Sequence, residues 1–197
     1  MIWRLVYFAI CLLVVAGIVH IAIVLLIPRY GTQDAYDVVS ARTDEWSFTT
    51  LDSPDERSPL SDIDPFFSYG VCRFDLSESG VWIKGDDFNA FWSATVLNSD
   101  GTVAYSLNRR TSIDGKLDLV LFDPVLILRL REAQPAEIER SIVIEADMRK
   151  GFVVVRSLKP DASWDSETGK FMQSISCERY LPEPAAPEPA EGEQPAS

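Results

Sequence analysis

The 197-residue chain contains a single histidine, His20, and it lies inside an apolar run near the amino terminus. The remainder has no imidazole, which excludes Ser-His-Asp and Cys-His nucleophilic arrangements there. It also removes the ligand that most catalytic zinc sites use. Gly101, Gly115, Gly151 and Gly169 stand isolated, and no GxxxxGKS/T phosphate loop occurs. Cysteine is limited to Cys11, Cys72 and Cys177 with no CxxC pair, so redox-motif and zinc-ribbon readings fail. Nothing implies a cofactor. Positive charge is also short, 18 basic residues against 30 acidic, for a net charge of −12. Such a surface repels nucleic acid and anionic lipid headgroups, which need a basic patch to release counterions. Its plain role is to keep a domain dispersed.

What the chain does have is a run of 24 residues, Leu5 to Pro28, without formal charge. About 20 apolar residues cross a hydrocarbon core of about 30 Å. A cleaved signal peptide would have a shorter apolar core followed by small residues, whereas this run ends in Ile27-Pro28-Arg29-Tyr30. An uncleaved single-pass signal anchor is the expectation. Arg4 and Arg29 flank the run, so positive-inside bias is slight. The short stub before Arg4 and the acidic residues that follow Arg29 favour a cytoplasmic amino terminus and an exported domain. Leaving out the two flanking arginines, 16 basic residues face 30 acidic ones beyond the membrane, a balance of −14. An oxidising compartment permits a bridge between Cys72 and Cys177, 105 positions apart. The alternative is two buried free thiols.

The organisation is read as an anchor over residues 1–29, a membrane-proximal helix and linker over 30–65, a β-rich domain over 66–180 and a Pro/Ala/Glu tail over 181–197. Thr32 is a candidate cap for a short helix through Arg42, with Ala35, Val38 and Val39 on one face. Trp46 to Leu51 alternates as a first strand, and residues 52–64 are Asp/Ser/Pro-rich loop. Further strands are expected over Val71–Leu76, Val81–Lys84, Ala90–Leu97, Thr102–Asn108, Leu117–Phe122, Ile127–Arg131, Ser141–Ala146 and Phe152–Leu158. Asn98-Ser99-Asp100-Gly101 between two alternating runs is a hairpin signal. Glu137 to Arg140 reads as one helical turn. Ser163 or Asp165 would cap a closing helix through Cys177 that carries Phe171, Met172 and Ile175. The fold class is therefore mainly β with flanking helices (α+β), a β-sandwich-like or partly open barrel domain behind one transmembrane helix. Phe66, Phe67, Phe74, Trp82, Phe88, Phe91, Trp92, Phe122, Phe152 and Trp164 are the candidate core aromatics. The tail has no basic residue and too little apolar surface to offset ordering entropy, so it is expected to be disordered.

Few residues point to chemistry. A Ser–Lys dyad using Lys84, Lys116, Lys150, Lys159 or Lys170 is formally open, but no spacing selects one. A carboxylate pair for glycoside cleavage is open among Asp62, Asp64, Asp86, Asp87 and Asp123. Beside Gly and Pro, however, Asp is first a turn residue. Arg109 and Arg110 follow the hairpin, and strand alternation would send one guanidinium to each face. One of them is a candidate clamp for a carboxylate or phosphate, the alternative being an internal ion pair with a neighbouring Asp. Trp82 and Trp92 are candidate ligand-contacting aromatics. His20 shares a helical face with Ala9, Leu13 and Ala16, where small residues admit a second helix. A lipid-facing histidine is the alternative.

The Leu-Leu-Ile-Pro-Arg end of the apolar run is followed by Asp64-Pro65-Phe66-Phe67-Ser68-Tyr69-Gly70-Val71-Cys72-Arg73-Phe74-Asp75-Leu76. Then come Phe91-Trp92-Ser93, Tyr105-Ser106-Leu107-Asn108-Arg109-Arg110 and finally Cys177. In that order these motifs resemble the small, single-pass membrane branch (alphaproteobacterial type) of the bacterial family called domain of unknown function 1254. The likeness runs from the anchor to Cys177 and leaves out the tail. Larger relatives resemble two β-rich domains in one chain, the second being domain of unknown function 1214. The resemblance implies a bacterial inner-membrane protein with its soluble part in the periplasm. It also implies a hetero-partner carrying a domain of unknown function 1214, and it supplies no catalytic residue.

The resulting expectation is a membrane-anchored, non-catalytic periplasmic domain that assembles with a partner subunit in cell-envelope maintenance. His20, Arg109, Arg110 and Trp92 are its candidate contacts. The competing readings are an envelope-glycan binder or carboxylate-based carbohydrate-processing enzyme, and a lipid or hydrophobic-ligand carrier. An alkaline phosphatase fused to the carboxyl end is expected to be active in cells. An inactive fusion, with a cytoplasmic reporter active in its place, would overturn the exported topology.

Overall fold

The computed structural model describes residues 1–30, 35–51, 64–133 and 135–182. The chain divides into two compact units, Met1–Asp34 and Ala35–Ser197. The first is helix α1 (Ile2–Tyr30). Its stretch Ile2–Leu26 is apolar, unburied and long enough to cross a membrane. A single-pass anchor and a signal sequence are both compatible with it.

The second unit begins with helix α2 (Ala35–Ser40) and builds two sheets. Sheet A contains β1 (Phe48–Thr50), β2 (Phe67–Asp75), β4 (Trp92–Asn98), β5 (Val103–Asn108) and β8 (Lys150–Leu158). Its order is β1-β2-β8-β4-β5, antiparallel throughout. Sheet B contains β3 (Gly80–Gly85), β6 (Leu117–Phe122), β7 (Ile142–Glu145) and β9 (Ser176–Tyr180), in the order β7-β6-β3-β9. Among the described strands, β6 and β7 are the one parallel pair. Their crossover carries helix α3 (Pro124–Ala133), as a parallel connection requires more chain than a hairpin turn. Helix α4 (Asp165–Ser174) precedes β9. This is an α+β fold, and the described strands close no barrel.

Strand alternation explains where the core sits. Cys72, Phe74, Trp92, Ala94, Val96, Val153 and Val155 of sheet A meet Val81, Ile83, Leu117, Leu119, Leu121 and Cys177 of sheet B in one buried cluster. Phe171 and Met172 of α4 close one side of it, with Phe88 stacked on Phe171 at 4.9 Å. Within this layer Cys72 and Cys177 are disulfide-bonded, with Cα atoms 6.4 Å apart, joining β2 to β9 and so sheet A to sheet B. Residues of the opposite parity face outward. On sheet A, Val71 and Phe152 are covered by Val39 and Tyr36 of α2. On sheet B, Val120 and Phe122 are covered by Leu126, Ile127 and Leu130 of α3, with Tyr180 and Trp82 alongside.

The hairpin follows its turn chemistry. Asn98 and Asp100 side chains accept from the amides of Ser99 and Thr102, and Gly101 adopts φ +83°. A register shift between Val96 and Leu97 leaves Ala104 unpaired as a bulge.

Four expectations are corrected. The run Ile127–Arg131 is helix, not strand. Asp123 accepts from the amides of Val125 and Leu126 at 2.7 and 3.0 Å, and Pro124 occupies the first helical position. Burial then follows the helical period, with Leu126, Ile127 and Leu130 inside and Val125 and Leu128 outside. The closing helix ends at Ser174, so Cys177 lies on a strand. Its approach is capped by Asp161, which accepts from the Ser163 amide, and not by Ser163 or Asp165. Of the candidate core aromatics, Phe74, Phe88, Trp92, Phe122 and Phe152 are buried, Phe67 and Trp82 are half-buried, and Phe66, Phe91 and Trp164 are exposed. The Thr32 cap, the loop over 52–63 and the tail from 183 lie outside the described residues.

Replacing Cys72 and Cys177 together by alanine is expected to lower the urea midpoint sharply. The chain-entropy scale for a loop of this length is about 4.7 kcal/mol. An unchanged midpoint in oxidising buffer would show that the bridge contributes nothing.

Candidate functional site

Three surface features of the folded unit are built well enough to bind something. The first is an apolar groove of about 780 Å³ on the outer side of sheet B. Ile127 and Leu130 of α3 form one wall, Pro135, Ala136 and Ile138 of the following single turn form the floor, and Val143 of edge strand β7 forms the other wall. Glu139 is its charged lining residue among those described. Val125 and Leu128, on the α3 face turned from the core, are about 60% exposed (63% and 58%). A helix that buries one stripe on its own sheet and leaves a second apolar stripe outside has unused contact surface. Beside the groove, the Tyr180 hydroxyl donates to Glu137 at 2.6 Å and the Trp82 indole donates to Asp118 at 2.8 Å. The first bond ties the turn that forms the floor to sheet B, and the second joins β3 to β6 within that sheet.

The second feature lies on the outer face of sheet A, beyond the part that α2 covers. Phe67 and Tyr69 of β2, Arg156 of β8 and Phe91 before β4 come together. The Arg156 guanidinium stands 5.4 Å from the Phe67 ring centre and 5.9 Å from that of Phe91, and its Nε donates to the Ser93 hydroxyl at 2.8 Å. Burial and the nearby Asp64 carboxylate push the Tyr69 phenol up, against the opposing pull of Arg156.

The third is a polar recess of about 250 Å³ lined by Glu45, Trp46, Asp75, Ser77, Glu78, Ser79 and Arg179. Trp46 holds φ +64°, an uncommon conformation for a residue with a side chain. The Arg179 guanidinium lies 4.7 Å over the Trp46 ring, and the Trp46 amide donates to the Arg73 carbonyl. Burial pushes the Asp75 carboxyl up, but Ser77 hydrogen bonds and the Lys150 ammonium outweigh that and hold it below its ordinary 3.8. Glu45 pairs with Arg73 at 3.8 Å.

The residues singled out from sequence are dispersed among other tasks. Trp92 is fully buried between the sheets, so it is core and not a contact residue. Arg109 donates to the Phe88 carbonyl at 2.8 Å and to Asp87 at 3.3 Å, the internal ion pair that was weighed against a clamp. Gly115, at φ +75°, makes room for this pair, since a Cβ there would sit 2.7 Å from Asp87 Oδ1. Arg109 and Arg110 lie past the end of β5 in a turn, so strand alternation does not apply to them. Arg110 is exposed, its amide donating to the Asn108 side chain. The carboxylates of Asp64 and Asp123 accept from backbone amides and so serve turns, while the Asp86 amide donates to the Ser174 hydroxyl. Lys84, Lys150, Lys159 and Lys170 pair with Glu178, Asp75, Asp165 and Glu167. Lys84 also stands 4.0 Å over the ring of half-buried Trp82. His20 sits on α1 with its side chain exposed. Among the described residues no three His, Cys, Asp or Glu side chains are gathered as a metal site. The groove and the Arg156 cluster escaped the sequence reading. The signals for them were the helical spacing of Val125 and Leu128 and the outward parity of Arg156 in an otherwise apolar strand.

No protein-family model matches the chain, and no curated protein matches it. The fold is similar to the crystal structure of the VPA0106 protein from Vibrio parahaemolyticus, with a TM-score of 0.55 at 12% identity. That match covers 77% of this chain and 37% of the other. A crystal structure of an uncharacterised protein from Burkholderia cenocepacia aligns at a TM-score of 0.45 and 14% identity, over 77% of this chain and 41% of that one. The chain thus spans less than half the length of either. At these identities the first likeness is one of fold alone, and the second carries no argument.

Asp75→Asn is expected to destabilise the domain by roughly 0.5–1 kcal/mol at pH 7. Because the folded carboxyl titrates below its ordinary 3.8, its contribution is present above that pH and is lost as pH falls through the folded value. Urea midpoints of the two proteins should therefore converge below about pH 3.8, and a constant gap would refute this sign.

Proposed function

We propose that the chain is a membrane-tethered, non-catalytic domain of the bacterial cell envelope whose α3–β7 groove receives a partner subunit. Helix α1 is the tether, in the inner membrane, and the folded unit lies in the periplasm. The observation that carries the reading is the groove, an apolar recess of about 780 Å³ with Val125 and Leu128 exposed on its helix. Exposed contiguous apolar surface on a domain that carries a surplus of acids is the usual mark of an interaction site. The disulfide between Cys72 and Cys177 suits an oxidising compartment. The similar Vibrio parahaemolyticus structure is a chain more than twice as long as the part matched. That is consistent with a fold that works beside a second domain, and on the family resemblance the partner carries a domain of unknown function 1214.

A carbohydrate reading retains one supporting observation, the recess with Glu45, Asp75 and Glu78 around Trp46. It no longer has Asp87 or Asp123, which are engaged in an ion pair and a helix cap. A hydrophobic-ligand reading would use the same groove as the partner, because the space between the sheets is filled by Phe74, Trp92 and Phe171.

Affinity capture of the full chain from detergent extracts is expected to recover one reproducible companion carrying the second domain type. Leu128→Glu, at an exposed position, is expected to lose it while leaving thermal stability unchanged. Recovery of a lone monomer, or of bound lipid in place of protein, would overturn the assembly reading.

A further inference from the structure

The Arg156 cluster on sheet A combines an arginine that has no ion pair among the described residues with a frame of aromatic rings. Arg73, Lys84, Arg109, Arg140, Lys150, Lys159 and Lys170 each pair with a carboxylate. Arg156 has no carboxylate within ion-pair distance among the described residues. Its Nε is held by a neutral hydroxyl, Ser93, and its plane is framed by Phe67 and Phe91. A guanidinium has five N–H donors, and one bond to Ser93 leaves the terminal nitrogens for an acceptor. The side chain is already fixed in place, so little rotamer entropy remains to be lost on binding. Around it stand phenyl rings with Phe91 43% exposed and Phe66, next to Phe67, 58% exposed. An aromatic platform with a pinned arginine fits a ligand that brings both carboxylates and compact apolar rings.

Residues 183–197 of this chain bring both. They hold Glu183, Glu188, Glu191 and Glu193, no basic residue, and Pro184, Pro187, Pro189 and Pro195. Proline-rich segments are stiff, extended and matched to aromatic surfaces. The rest of the body, with acids in surplus, repels such a tail. Reach is sufficient. The tail follows Tyr180, which pairs with Gly80, five residues beyond the Asp75 end of β2, while the platform is at the Phe67 end. Nine strand residues span about 30 Å and 15 tail residues extend to about 45 Å. We propose that the acidic, proline-rich tail, residues 183–197, docks on the Phe67–Phe91–Arg156 platform of its own chain, its glutamates on Arg156 and its prolines on the rings. The tail then covers the apolar surface of sheet A that α2 leaves open.

The test uses the full chain in detergent with Ala190 replaced by a photoreactive p-benzoylphenylalanine. Adducts are expected within one chain, on residues 64–69, 91–93 and 156–159. In Arg156→Glu their yield is expected to fall roughly tenfold, the loss of one charge-assisted contact. Lysines at the four tail glutamate positions are expected to restore it in the Arg156→Glu background. Should Arg156→Glu impair folding, Phe91→Ala, at an exposed ring, must lower the yield in its place. Adducts on other surfaces, on the micelle alone, only between chains, or at undiminished yield in the variants would overturn the proposal.

Discussion

Cys72 and Cys177 meet between two sheets whose described strands do not pair with each other, and their bond is a side-chain covalent tie across that layer. Apart from the chain connections, sheet A and sheet B are held mainly by apolar burial. The bond sits where Phe74, Ile83 and Leu119 already pack, so it limits the unfolded chain without replacing the core. It lies on β9, the strand that also carries Arg179 and Tyr180. With Cys177 fixed against β2, β9 pairs along β3, Arg179 comes over Trp46, and Tyr180 comes under α3. The groove floor and the polar recess both depend on that placement.

The two sheets are finished differently on their outer sides, and this decides where binding surface remains. Sheet B carries a parallel pair, so the chain must cross over it, and α3 is the crossover. A ten-residue helix shields Val120 and Phe122 but presents its second apolar stripe to solvent. Sheet A is an antiparallel sheet in which α2, six residues long, covers only the region of Val71 and Phe152. The region of Phe67, Tyr69 and Arg156 stays open. Both features proposed to bind something are thus places where a short covering element ends before its sheet does.

Much of the fold was legible because strand alternation is local. The hairpin over β4 and β5, the span of β6 and the short turn near Glu137 follow from period and turn residues. Ile127–Arg131 is ambiguous from sequence because a short apolar run is equally a buried strand or one side of a helix. What settles it is Asp123 and Pro124 acting together as cap and first turn, so the evidence lay just outside the run. The chemistry of the Trp92 indole suits a ligand contact but does not reveal its parity, and parity turns it inward. The candidate site was less legible still. Phe67, Phe91 and Arg156 come from separate strands, and Leu130 and Val143 flank a connection.

Composition and order alone determined the long apolar helix, the sheet-rich body, the acid surplus and the absence of imidazole beyond His20. Each is a property of nearest neighbours or of simple sums, which physics reads without knowing what lies across the molecule. Only the tertiary structure decided that Cys177 is on a strand facing Cys72, that Arg109 is consumed by Asp87, and that Arg156 lacks a carboxylate partner among the described residues. Those facts depend on strand register and sheet packing between distant segments, where a shift of one residue would turn every side chain to the other face.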